Sequence, residues 1–181
     1  MTVLVLTALP GELDGMRAPD GTRVVYTGVG KINTALATAE ALRDAAPRLV
    51  VNYGTVGRIN AALNGLVEIS HVVQRDMMAM PLAPRGVTPL SDEPPILASG
   101  FGDVICGTGD SFVTAADPWL AANRIGVVDM ELFAIAHTCA RHGVPWRAFK
   151  FITDGADDNA ADHWSANVAG GEALFWDVLR K

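Results

Sequence analysis

Apolar residues arrive along this chain in short runs, each ended by a Gly-, Pro- or carboxylate-containing break. Thr2 to Leu9 is a continuous β-branched and Leu-rich run, the pattern of a parallel strand covered on both faces, and it stops at Pro10-Gly11-Glu12. Arg23 to Thr27, Arg48 to Tyr53 and Leu66 to Val73 repeat that pattern, and Ile96 to Ala98 and Val104 to Cys106 are shorter versions of it. Between the second and third runs, Gly28-Val29-Gly30-Lys31 opens a helix from about Ile32 to Ala45. Gly54-Thr55-Val56-Gly57 reads as the turn that ends the third strand, and Gln74 to about Pro95 as a long Pro-rich loop.

The most informative stretch runs from Val127 to Asp157. Val127 and Val128 lead into Asp129-Met130-Glu131, after which Leu132 to Ala140 is apolar on nearly every face, so this helix must be enclosed. Gly143-Val144-Pro145 ends it, because Gly tolerates the left-handed C-terminal conformation and Pro cannot continue a helix. Trp146 to Thr153 is again a strand covered on both faces, broken by Asp154-Gly155-Ala156-Asp157. Asp158-Asn159 can cap a final helix from about Ala160 to Arg180, with Trp164, Val168, Phe175, Val178 and Leu179 as its buried stripe and Gly170-Gly171 as a weak point. Strands alternating with helices predict one α/β domain over residues 1–181, a mixed, mostly parallel central sheet flanked by helices. Glu131 and Asp154 then fall at the same edge of the sheet, the edge at which such folds bind ligands.

Composition narrows the partners. The chain has 181 residues, half of them hydrophobic, and a net charge of -6 from 14 basic and 20 acidic side chains, with no basic run. A nucleic-acid partner would require a clustered cationic surface, so a small molecule is the expected ligand. Cys106 and Cys139 lie inside apolar segments, the setting of reduced core thiols. His137 and His142 are on different helix faces, and no metal-ligand spacing occurs, so neither a metal nor a cofactor is expected. No run is long enough to span a bilayer and no basic leader precedes the first strand, which predicts a cytoplasmic protein.

The acidic junctions also carry a resemblance. Asp129-Met130-Glu131 before an Ala-rich helix, followed by Thr153-Asp154-Gly155-Ala156-Asp157, resembles the purine nucleoside phosphorylase and nucleosidase superfamily, and within it the 5′-methylthioadenosine/S-adenosylhomocysteine nucleosidases. Ala8-Leu9-Pro10-Gly11-Glu12 resembles that family's Ala-Met-x-x-Glu turn, Asn52 to Gly57 its Asn-Thr-Gly-Ser-Ala-Gly segment, and Gly109-Asp110-Ser111-Phe112-Val113 its Ser-Gly-Asp-x-Phe-Ile segment. The resemblance implies that Glu12 activates water, Asp154 is the general acid at the purine, Glu131 holds the ribose hydroxyls above Met130, and Thr55 lies near the ribose. It also implies that Phe112 stacks on the base while the Val113 backbone reads its edge, and that a homodimer forms. Phosphorolytic relatives carry an Arg where this chain has Asn52, which favours water as the attacking group.

The implied activity is hydrolysis of a 6-aminopurine nucleoside such as 5′-methylthioadenosine or S-adenosylhomocysteine, releasing adenine. Three other readings fit the same residues: a purine nucleoside phosphorylase, a hydrolase of another nucleoside such as futalosine or AMP, and a non-catalytic nucleoside-binding protein. The segments on either side of Gly107 to Val113 are short for the family, with its usual helix reduced to Ser91 to Gly102.

Overall fold

In the computed structural model, which describes residues 2–155 and 167–181, the β-branched runs become eight strands. They are β1 (Val3–Thr7), β2 (Thr22–Tyr26), β3 (Leu49–Arg58), β4 (Leu66–Gln74), β5 (Ile96–Ala98), β6 (Val104–Thr108), β7 (Val127–Asp129) and β8 (Trp146–Asp154). The described helices of the α type are α1 (Lys31–Ala45), α2 (Pro118–Ala122), α3 (Leu132–His142) and α4 (Glu172–Leu179). One sheet runs in the order β2-β1-β3-β7-β6-β4-β5, with β8 joining β3 to β4. The ladders β1–β2, β1–β3, β3–β8, β4–β6 and β6–β7 are parallel, whereas β3–β7, β4–β5 and β4–β8 are antiparallel. The α/β architecture with a mixed, mostly parallel sheet is therefore the one expected.

Because successive side chains of a strand point to opposite faces, each continuous apolar run feeds two cores. Leu4, Leu6 and Val50 pack on one face with Ala41 and Leu42 of α1 and with Leu132, Ile135, Ala136 and Cys139 of α3. Val5, Val51, Tyr53 and Phe149 pack on the other face against Phe175 and Trp176 of α4. The all-round apolar helix is enclosed from Leu132 to Cys139, and its exposed last turn ends at Gly143, whose φ of 66° is left-handed.

Three boundaries differ from expectation. The Gly54 to Gly57 segment is not a turn: β3 continues to Arg58, pairing with β8 along Val50 to Gly57 and with β7 at Gly57 and Arg58. Gly54 serves close approach within the strand, since a Cβ there would lie 3.3 Å from Lys150 Nζ and 3.5 Å from Glu12 Oε1. Secondly, α2 is an unexpected helix of five residues, too short to give a periodic signal, started by Pro118 and capped by the Asp117 side chain on the Trp119 N–H. Thirdly, α4 starts at Glu172, and Gly170 and Gly171 lie in a turn between it and a helical Asn167, so the expected weak point interrupts the helix. A Cβ on Gly171 would come within 2.5 Å of Phe151 Cβ and Tyr53 Oη, so the helix start seats on the sheet only without one. The start of the predicted helix, including Trp164 and the Asp158-Asn159 cap, lies outside the described residues.

The seated α4 also reaches the first loop. Glu172 Oε1 accepts hydrogen bonds from the Asp14 backbone N–H at 3.1 Å and from Trp176 Nε1 at 3.2 Å, and Glu172 Oε2 lies 3.6 Å from Arg17.

Candidate active site

The carboxyl ends of β1, β4, β6, β7 and β8, with the second half of β3, surround a cavity of about 230 Å³. Its lining includes Glu12, Thr55, Phe112, Val113, Met130, Glu131 and Asp154, so all seven residues singled out in the sequence border one space. This is where ligands bind in open α/β sheets, because the chain leaves each strand there and the loops are free to carry function.

Glu12 is 4% exposed, on the loop that leaves β1. Its Oε2 accepts from Thr7 Oγ1 at 3.2 Å and from the Ala8 and Leu9 N–H groups at 3.1 Å each. Its Oε1 accepts from the Thr55 N–H at 3.0 Å and Thr55 Oγ1 at 2.8 Å. Both oxygens are thus engaged, and Thr55, instead of lying in a turn, is a strand residue that borders the cavity and holds Glu12. Asn52, two residues before Gly54, is buried with its Nδ2 donated to the carbonyls of Leu6 and Tyr53. That amide supports backbone.

Glu131 stands at the start of α3 with far less support. Its Oε1 accepts one described hydrogen bond, from the Gly30 N–H at 3.0 Å. Burial, reinforced by the neighbouring Asp129 charge, pushes its carboxyl up to about 7. The Gly-rich turn before α1 therefore does meet an anion, the side chain of Glu131. Asp154 is the last residue of β8, opposite Gly57, and its Oδ2 accepts from Thr153 Oγ1 at 2.9 Å. Phe112 is 53% exposed at the cavity rim.

Behind these residues lies an ion pair that the sequence reading did not identify. Lys150 Nζ, in the middle of β8, donates to Asp129 Oδ2 at 2.7 Å, and both side chains are essentially inaccessible. Asp129 also accepts from Thr108 Oγ1 at 2.5 Å and from the Leu132 N–H at 2.9 Å, which caps α3. Burial opposes ionisation of both groups. Their mutual attraction outweighs it, holding Asp129 below the usual carboxylate range and Lys150 above the usual amine range. The available signal was a lone cation inside an apolar strand, a residue type almost never buried unless paired. Arg75, at the end of β4, was also missed: it is 5% exposed, borders the cavity and donates to Gly109 and Ser111. Among the described residues no group of three His, Cys, Asp or Glu side chains could hold a metal ion. No described helix is long and apolar enough to cross a membrane.

Comparison with known proteins places this geometry. The phosphorylase superfamily profile matches residues 20–174. The 5′-methylthioadenosine/S-adenosylhomocysteine nucleosidase of Staphylococcus haemolyticus is 30% identical, the match covering 76% of this chain and 70% of that protein. Among solved structures, a Helicobacter pylori MTAN mutant with 5′-methylthioadenosine in the active site superposes with a TM-score of 0.87 at 19% identity, covering 99% of this chain and 96% of that one. The futalosine hydrolase of Helicobacter pylori gives a TM-score of 0.87 at 18% identity, covering 99% and 95%. At those identities the structures establish the shared fold. With the profile spanning most of the chain and a relative at 30% identity matched over two thirds of its length, the chain belongs to the phosphorylase superfamily.

Proposed function

We propose that this protein is an N-glycosidase that hydrolyses a 6-aminopurine nucleoside such as 5′-methylthioadenosine or S-adenosylhomocysteine and releases adenine. The observation that carries the reading is that Glu12, Glu131 and Asp154, far apart in sequence, open onto one cavity with an exposed aromatic ring at its rim. Breaking a purine N-glycosidic bond requires charge neutralisation on the departing base, stabilisation of a cationic sugar and a delivered water. Asp154 donates or shares a proton at N7 of the base, which stacks on Phe112 while the Val113 backbone reads its edge. Glu131 accepts the ribose hydroxyls, with Met130 beneath, and its negative charge favours the oxocarbenium-like sugar. Those hydroxyl donors stabilise the ionised carboxyl, so binding lowers a proton affinity that stands high in the free protein. Glu12, oriented by Thr55, takes the proton of the attacking water.

Water is the nucleophile in this scheme because Asn52 is committed to the Leu6 and Tyr53 carbonyls, and Arg75, the one cation among the described lining residues, directs its bonded N–H groups to Gly109 and Ser111. The test is a nucleoside panel of 5′-methylthioadenosine, S-adenosylhomocysteine, adenosine, inosine, futalosine and AMP, with and without phosphate, with free base followed by chromatography. Adenine release that is indifferent to phosphate and leaves a free sugar is the expected result. Phosphate-dependent turnover yielding ribose 1-phosphate would make the protein a phosphorylase, and adenine binding without release from any nucleoside would make it a binding protein.

The working form is a homodimer in the cytoplasm. Met78, Met80 and Leu82 of the loop after β4 and Ile32 and Leu36 of α1 are all more than 60% exposed, which suits a surface covered by a second copy. Sedimentation at several concentrations tests the dimer, which is absent if the protein sediments as a monomer throughout. Buried, unpaired Cys106 and Cys139 suit a reducing compartment.

A further inference from the structure

An aromatic ring that is half exposed has little core contact to hold it, so the backbone that carries Phe112 must itself be fixed if the ring is to serve as a platform. The turn before it, Gly109-Asp110-Ser111, is short and polar, and every residue in it is held by one of two consecutive side chains at the end of β4. Arg75 Nη2 donates to the Gly109 carbonyl at 3.1 Å and to the Ser111 carbonyl, and Nη1 donates to Ser111 Oγ at 3.2 Å. Asp76 Oδ2 accepts the Asp110 N–H at 2.9 Å, and its Oδ1 lies 2.6 Å from Lys31 Nζ. Lys31 in turn gives its backbone N–H to Asp110 Oδ1 at 2.8 Å. The planar guanidinium supplies donors to carbonyls two residues apart, and the carboxylate supplies the acceptor for the amide between them.

Space and backing fit the same role. A Cβ on Gly109 would lie 2.9 Å from Arg75 Cζ and 3.0 Å from Asp76 Cγ, so a larger residue there would displace the two side chains from the turn. The Arg75 carbonyl is itself held at 2.6 Å by Arg85 Nε. Arg85 also pairs with Asp117 at 2.7 Å and lies over the Trp119 ring at 4.4 Å, which braces the arrangement against α2.

We propose that Arg75 and Asp76 are positioning residues for the base: they clamp the Gly109–Ser111 turn so that the Phe112 ring stands over the cavity. The proposal rests on the reading that Phe112 stacks on the base. It predicts a specific coupling, because residues that act through one another lose additivity.

The test is a cycle of wild type, R75M, F112A and R75M/F112A, assayed for adenine release from 5′-methylthioadenosine and for adenine binding by titration calorimetry. F112A and R75M each lower kcat/KM by roughly 10- to 100-fold, the range of one base–aromatic stack, mainly through KM. In the F112A background, R75M has no further effect. An equal loss from R75M with and without Phe112 would overturn the clamp and assign Arg75 a direct contact with the ligand. An unchanged F112A enzyme would remove the stacking reading, and the clamp with it, while leaving the nucleosidase assignment standing. Wild-type protein that binds adenine but does not release it would sink the reaction, yet the binding cycle would still decide the clamp. If R75M fails to fold, D76N and D76N/F112A form the second cycle, with the same outcomes.

Discussion

On the β1–β3 wall of the cavity Glu12 is wrapped by five donors, whereas on the β7–α3 wall Glu131 meets one described backbone N–H and has the Asp129 charge behind it. A carboxylate bonded at both oxygens contributes to folding, while one sunk beside another anion opposes it. The first wall is finished in the free protein. The second awaits a partner that can donate hydrogen bonds, which in the proposed reaction is the ribose. In the proposed reaction preorganisation is thus concentrated at Glu12, and binding energy is drawn to the wall that carries Glu131.

The comparison breaks most sharply at Glu12. Glu12→Gln turns an amide NH₂ toward groups that are themselves donors, so turnover falls by roughly 10²- to 10⁴-fold and stability falls by about 1–3 kcal/mol. Steady-state kinetics beside thermal melting check both. Lys150→Met removes the cation that balances Asp129 and costs about 3–5 kcal/mol in urea unfolding, and adding Asp129→Leu recovers most of the loss. A milder result for the single variant would mean that the pair is solvated. Glu131→Gln has the opposite sign on stability. The folded carboxyl holds its proton up to about 7 against an ordinary value of 4.5. The stability this gives the protonated form is fully present below pH 4.5 and is lost as pH rises through 7. Glutamine removes that loss, so the variant melts higher than wild type at pH 8, by up to about 3 kcal/mol, and shows no gain at pH 4, while base release falls. The smallest effect is Thr55→Val, which takes one donor from Glu12 and lowers kcat by about tenfold with little change in KM.

Which parts were legible in the sequence follows from how local their causes are. The strands and α1 and α3 show in runs of apolar residues, and Glu12, Glu131 and Asp154 show as carboxylates where those runs break. The parallel order of β1, β3 and β8 brings Glu12 and Asp154 to one space, and β7, antiparallel to β3 and parallel to β6, adds Glu131. The continuation of β3 through Gly54 was hidden because glycine normally signals a turn, and its reason is a side chain from β8. The Lys150–Asp129 pair depends on the register of β7 and β8, consecutive strands that each pair with β3 and not with one another. Arg75 was overlooked because its partners are mostly backbone carbonyls, which no residue pattern announces.

The latch between Glu172 and the Asp14 amide joins segments 158 positions apart, immediately beyond the loop that sets Glu12. Since chains emerge from the ribosome in order, the loop that carries Glu12 is made early, and its contact with α4 forms only once that helix has appeared. The Asp14 end of that loop is therefore secured late in synthesis, whereas the described donors that hold the Glu12 carboxylate all come from β1, the turn after it and β3.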